Sequence, residues 1–185
     1  MYKKINTPLI EEIVKDLRAG DTVLITGKVL TARDAAHKRM IESLNNGGKL
    51  PVDVKDQVIY YVGPCPAKPG QVVGSCGPTT SGRMDAYTPK LLEVGLKGMI
   101  GKGYRNKDVV EAMMKYHAVY FTAIGGAGAL LSERVVDSKV LAYEDLGPEA
   151  IHLFTVVDFP AIVTIDMYGN NLYETERDKY KKRNY

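Results

Sequence analysis

Between Gln57 and Leu131 one pattern recurs: a short apolar run closes on a turn-forming cluster and gives way to a helical spacing of hydrophobic residues. The runs Gln57–Val62, Met99–Ile100 and Ala118–Ile124 are too short for core helices, whereas Met84–Val94 and Lys107–Tyr116 have helical character, with Thr88-Pro89 splitting or restarting the first. A third helix opens at Gly125-Gly126-Ala127-Gly128 and runs through Leu131. Strands separated by helices cannot pair as hairpins; each needs a crossover, and crossovers make parallel neighbours. From Val135 onward the pattern changes. Val140–Tyr143, His152–Val157 and Ala161–Ile165 read as strands without intervening helices, followed by a turn at Tyr168-Gly169-Asn170-Asn171, which predicts antiparallel pairing. A mixed α/β fold follows.

Upstream, Thr7 and Pro8 suit an N-cap and first helical residue. Leu9, Ile13 and Leu17 then recur at four-residue steps up to Gly20, which predicts a helix over 7–20. Thr22–Leu30 reads as a strand, Arg33–Leu44 as a helix stopped by Asn45-Asn46-Gly47-Gly48, and Gln71–Val73 as a short strand beyond the turn-rich Gly63–Gly70 segment. A chain of 185 residues with 45% hydrophobic content buries one good core, and no break in composition divides it, so a single domain over residues 1–185 is expected. The net charge of +3, from 25 basic and 22 acidic residues, is too balanced for a nucleic-acid footprint. Part of the excess sits in the tail Lys179-Tyr180-Lys181-Lys182-Arg183, read as a solvated end. Met1–Asn6 has no apolar signal core, and no run approaches the roughly 18 apolar residues of a membrane span, which predicts a cytoplasmic protein without membrane contact.

The chemistry concentrates in Gly74-Ser75-Cys76-Gly77-Pro78-Thr79-Thr80-Ser81-Gly82-Arg83-Met84-Asp85, where glycines admit a close ligand, hydroxyls donate or accept, and Arg83 offers a planar fork suited to a carboxylate. The same spacing also describes an ordinary Ser/Thr-capped turn. Arg33 and Lys102 join Arg83 at element junctions, Arg33 where a strand feeds a helix and Lys102 in Gly101-Lys102-Gly103. Cations at such junctions suit a small anion, although most arginines and lysines are simply solvated. His37, four residues after Arg33, shares its helical face and reads first as a structural histidine tied to backbone or to Asp34. Asp34 and Asp85 read as groups that orient neighbouring arginines, and His117 and His152 form no ligand pattern with His37. Gly125–Gly128 lacks the full glycine spacing and the acidic residue of a dinucleotide loop and is explained by tight packing. The two cysteines, Cys65 and Cys76, are too few for a disulfide scaffold or for the three or four protein ligands an iron–sulfur cluster ordinarily takes.

Together with Thr31-Ala32-Arg33-Asp34-Ala35-Ala36-His37 and Ile100-Gly101-Lys102-Gly103, the glycine–hydroxyl segment closely resembles the C-terminal domain of class I fumarases and the beta subunit of the related L(+)-tartrate dehydratases. The likeness runs from Thr7-Pro8-Leu9 through Phe159-Pro160-Ala161 to Asp166-Met167-Tyr168-Gly169-Asn170. It implies a three-layer β/β/α arrangement of the swivelling-domain type, and a beta subunit of a two-subunit hydro-lyase that interconverts fumarate and (S)-malate. It also implies an alpha-subunit partner carrying a [4Fe-4S] cluster, so that no metal ligand falls on this chain and the complex is a hetero-oligomer. In this reading Arg33, Arg83, Lys102 and Thr79 bind substrate. Thr79 is either the catalytic base, its alkoxide stabilised by nearby cations, or a positioning group while a partner residue moves the proton. The rival readings are a tartrate dehydratase beta subunit, producing oxaloacetate, and a non-catalytic binding or assembly module of the same fold. Gly82, Asp85 and Ala32 lean toward the fumarase form.

Overall fold

A computed structural model describes residues 2–181, with side chains described through Glu176. Two long strands organise it. β2 (Thr22–Thr31) and β7 (Ile151–Ile165) run antiparallel from Thr22↔Ile162 to Thr31↔His152. β1 (Lys3–Asn6) lies parallel to the start of β2, and β3 (Val58–Tyr60) parallel to its end. β4 (Gly98–Gly101) and β5 (Val119–Thr122) continue the parallel set, β5 then pairs antiparallel with the end of β7, and β6 (Val135–Ala142) pairs antiparallel with its beginning. The order is β1-β2-β3-β4-β5-β7-β6, and because β2 also pairs with β7, the strands β2, β3, β4, β5 and β7 close a circuit. The expected mixture of parallel and antiparallel strands is present.

Alternation along the parallel strands sends successive residues to two separate cores. Val58, Tyr60, Val62, Ile100, Val119 and Phe121 join the cluster shared with β2 and β7, which includes Val23, Ile25, Phe154, Phe159 and Val163. Ile59, Tyr61, Met99 and Tyr120 face the helices. There they meet Ala36 and Met40 of α2 (Asp34–Asn45), Leu91 and Leu92 of α3 (Thr88–Glu93), and Val109, Ala112 and Met113 of α4 (Lys107–Tyr116). α4 begins where the Asn106 side chain accepts the Val109 N–H at 2.9 Å. Its buried residues recur at three- and four-residue spacing, as an amphipathic helix requires.

Four local readings change. The predicted 7–20 helix shrinks to one turn, α1 (Glu11–Val14), preceded by β1. The Thr7–Pro8 bond is cis, and the Thr7 hydroxyl donates to the Lys28 carbonyl at 2.7 Å instead of capping a helix. Leu9 and Leu17 are buried and Ile13 is partly so, all in one core cluster, so the apolar repeat records tertiary packing and not helical length. Gln71–Val73 forms no strand. The two strands expected over 152–165 are one continuous β7 that bends at Asp158, where φ is +48° and the Thr26 hydroxyl accepts the Asp158 N–H at 3.0 Å. Finally, α5 (Gly128–Ser132) starts at the last glycine of its loop, and α6 (Leu172–Lys181) runs into the basic tail, whose Lys182 and Arg183 lie outside the described residues.

Candidate functional site

The carboxyl ends of β2, β3 and β4 lie side by side, the place where parallel α/β sheets bind ligands. β2 delivers Ala32, whose N–H meets the Tyr60 carbonyl at 3.2 Å, and then Arg33 as the extended residue before α2. Beyond β3 the segment Thr79–Ser81 inserts between the extensions of β3 and β4. The Thr79 N–H donates to the Tyr61 carbonyl (2.7 Å), the Lys102 N–H to the Thr79 carbonyl (3.3 Å) and the Ser81 N–H to the Lys102 carbonyl (2.8 Å). This crossing needs Gly101, since a Cβ there would collide with the Ser81 hydroxyl and approach the Tyr61 ring at 3.1 Å. Thr79 and Lys102 are therefore fixed to one another by backbone, and a single turn of tighter helix, Ser81–Met84, carries Arg83 away from them.

Arg33 and Arg83 come together on one carboxylate. Arg83 Nε donates to Asp34 Oδ1 at 2.8 Å, and Arg33 Nε reaches Asp34 Oδ2 at 3.5 Å. Glu149, in the turn before β7, takes Arg33 Nη2 at 3.5 Å with one oxygen and accepts the Ala35 N–H at 3.0 Å with the other. Asp34 thus orients its arginines as the sequence suggests. Asp85 also orients an arginine, and that arginine is Arg105: Oδ1 accepts Nε at 2.6 Å and Oδ2 accepts the Asn106 N–H at 2.7 Å. Arg105 also donates to the Thr88 hydroxyl at 2.8 Å and lies over the rings of Tyr61 and Tyr120. The Tyr120 hydroxyl holds the Ser81 hydroxyl (2.9 Å) and the Gly103 carbonyl (3.0 Å), so this buried network sits directly beneath the Thr79–Lys102 crossing.

His37 is fully buried, and its Nδ1 donates to the Arg33 carbonyl at 2.8 Å, which leaves Nε2 as an unprotonated acceptor without a partner among the described residues. Burial, with a smaller contribution from the Arg105 charge, pushes its pKa down to about 4, so it is a neutral backbone tie and no cationic ligand group at pH 7. His117 pairs with Glu11 at 3.0 Å and His152 lies in β7, both apart from His37.

The Lys102 stem passes over Gly125, and among the described residues neither its ammonium nor the Thr79 hydroxyl has a side-chain partner. Arg83 is half exposed, and Arg33 and Lys102 are partly so. What these groups form is an open cationic shelf and no enclosed cavity; a 460 Å³ cavity lies elsewhere, between α3 and α4. Sequence reading missed Arg105 and Glu149. Nothing local marks Arg105, since only the fold turns it inward, and Glu149 falls in a turn without periodicity. As to metal binding, no group of three or more His, Cys, Asp or Glu residues among those described could hold an ion. Cys65 is exposed, and Cys76 is buried with its thiol pushed up to about 12 by that burial. No described helix is long and apolar enough to cross a membrane.

An α/β domain with a carboxyl-edge cationic shelf is the class this geometry defines. The model of the fumarase C-terminus family matches residues 3–176, and the chain belongs to that family. It is 39% identical over 184 residues to "Putative L(+)-tartrate dehydratase subunit beta" of Methanocaldococcus jannaschii, covering 95% of this chain and 94% of that one. It is 39% identical over 152 residues to "Fumarate hydratase class I, aerobic" of Escherichia coli strain K12, and 38% identical over 156 residues to "Fumarate hydratase 2" of Leishmania major. These matches cover 81% and 83% of this chain but only 28% of either fumarate hydratase.

Proposed function

We propose that this chain is the beta subunit of a two-subunit hydro-lyase that adds water reversibly to fumarate, giving (S)-malate, and that it works in the cytoplasm against an alpha subunit. The observation that carries the reading is the shelf itself. Two guanidinium groups share Asp34, while Lys102 and Thr79 are locked together by backbone at the carboxyl ends of the neighbouring strands. Arg33 and Arg83 would take carboxylate oxygens in forked hydrogen bonds, and Lys102 would add a point charge. Thr79, at the crossing between the β3 and β4 extensions, would either accept a proton or hold the substrate for a partner group that does. The family's [4Fe-4S] cluster does not fit the donors of this chain, because the buried Cys76 and exposed Cys65 make at most a pair. We place the cluster on the alpha subunit, whose surface would also close the shelf and exclude water. The two cores on opposite faces of the parallel strands support the swivelling-type β/β/α arrangement.

A second reading, L(+)-tartrate dehydratase, is favoured by the relative whose length this chain nearly fills. Anaerobic co-purification with the partner, followed by assays on fumarate, malate and L(+)-tartrate, decides between them. Fumarate turnover by the complex and none by the chain alone is expected; a full cluster on the isolated chain would sink the split-site reading. In the same complex Thr79→Val removes the hydroxyl at nearly constant shape. Loss of most of kcat, by roughly 100-fold or more, marks proton transfer, with Thr79→Ser retaining much of it. A raised KM at near-normal kcat marks positioning.

A further inference from the structure

Glu149 bridges the Arg33 guanidinium and the first turn of α2. Its Oε1 lies 3.5 Å from Arg33 Nη2, and its Oε2 accepts the Ala35 N–H at 3.0 Å in the first turn of α2. The Arg33 side chain is held from below as well: a Cβ at Gly63 would stand 3.0 Å from both Arg33 Cδ and Nη1, and 3.3 Å from the Pro148 carbonyl oxygen. Gly63 follows β3, and Pro148 and Glu149 precede β7, so segments of two other elements close on the guanidinium that Arg33 carries at the end of β2. Within the cluster, the charges of Arg33 and Arg83 are offset by Asp34 and Glu149. A site built only to attract a dianion would omit the second carboxylate, since Glu149 weakens attraction.

We propose that Glu149 is a positioning residue of the clamp, and that with Gly63 it fixes the Arg33 guanidinium so that Arg33 and Arg83 stand at a set separation for the two carboxylates of the substrate. This rests on the dicarboxylate reading above. Positioning and plain electrostatics predict opposite signs. Glu149→Gln keeps an acceptor for the Ala35 N–H but surrenders the ionic grip on Arg33 and leaves the shelf one unit more positive. If Glu149 only tempers charge, the variant binds dicarboxylate more tightly and KM falls. If it positions Arg33, kcat/KM falls about tenfold despite the added positive charge, with kcat carrying most of the loss. Gly63→Ala, which leaves every charge in place, is expected to lose activity in the same sense by displacing the guanidinium.

The experiment is steady-state kinetics on fumarate and malate with wild-type, Glu149→Gln and Gly63→Ala beta chains in the two-subunit complex, with melting temperature as the folding control. In parallel, ¹⁵N relaxation of the Arg33 Nε–H in the full chain reads the grip without turnover, and Glu149→Gln is expected to increase its mobility. An active wild type with a Glu149→Gln variant of unchanged or lowered KM and intact kcat overturns the proposal, as does an Arg33 Nε–H as ordered in the variant as in wild type. A folded wild-type complex inactive on all three acids defeats the functional reading instead, and the relaxation measurement alone then decides whether Glu149 grips Arg33.

Discussion

Arg83 and Arg105 both answer an aspartate, yet their surroundings give them opposite work. Arg105 has a fully buried side chain, meets Asp85 at 2.6 Å, and is boxed by Thr88, Tyr61 and Tyr120. Arg83 has 51% of its side chain exposed and meets Asp34 at 2.8 Å with one edge of its fork. A buried, fully satisfied guanidinium has no donors to spare for a ligand, and its loss leaves an uncompensated charge. A half-exposed one contributes little stability and keeps donors available. The charged pair that looks strongest is therefore scaffolding, and the weaker pair is where chemistry can happen.

Breaking the scaffold gives the largest expected effect. Arg105→Ala strands Asp85 in the interior and is expected to cost about 3–5 kcal/mol of stability, read by denaturant melts. A loss under about 1 kcal/mol, the range of an exposed pair, would erase the contrast.

Next is His37, which touches both regions through the Arg33 carbonyl and the field of Arg105. Its folded pKa lies below the unfolded one, so the unfolded chain binds the proton first and stability falls with acid. The loss begins as pH drops through about 6.5, approaches about 3 kcal/mol and is complete by about pH 4. His37→Gln should flatten that limb, and an unchanged pH slope would show that the imidazole is charged in the folded protein.

Arg83→Lys sharpens the other side: it keeps the charge and loses the fork, so catalytic efficiency of the complex is expected to fall roughly ten- to a hundredfold. Melting should be nearly unaffected, because an exposed pair contributes only about 0–1 kcal/mol. Smallest is Asp34→Asn, expected to shift the melting free energy by about 1 kcal/mol or less. A large destabilisation would mean that Asp34 belongs with the scaffold.

The strand–helix alternation of residues 57–131 was legible because parallel strands and amphipathic helices carry different periods, and α4 has the predicted bounds. The N-terminal helix misled because Leu9, Ile13 and Leu17 pack into a core shared with distant strands, a tertiary fact with the same spacing as a helix. Of the shelf, Arg83 and Lys102 stand at junctions rich in glycine or hydroxyls and Arg33 where a strand feeds a helix, but it was the resemblance of these motifs to the family that singled out all three together with Thr79. Glu149 could not be singled out: its relation to Ala35 spans 114 residues and is created by β7 returning alongside β2. That Asp85 orients an arginine was legible, but which one was not, since Arg105 is 20 residues away and comes to it just before α4.

The closed strand circuit also sets a timetable for folding. β2 is made well before β7, and their contacts reach across 121 residues at Thr31–His152 and 132 at Thr26–Asp158. Such distant pairing is slow, because a long loop must be ordered before the contact stabilises it. During synthesis, the apolar face of β2 waits for its antiparallel neighbour while the stretch from Thr31 to His152 is made. Through that interval the core shared by β2 and β7 is half built, a period in which a chaperone would find the nascent chain most in need of cover.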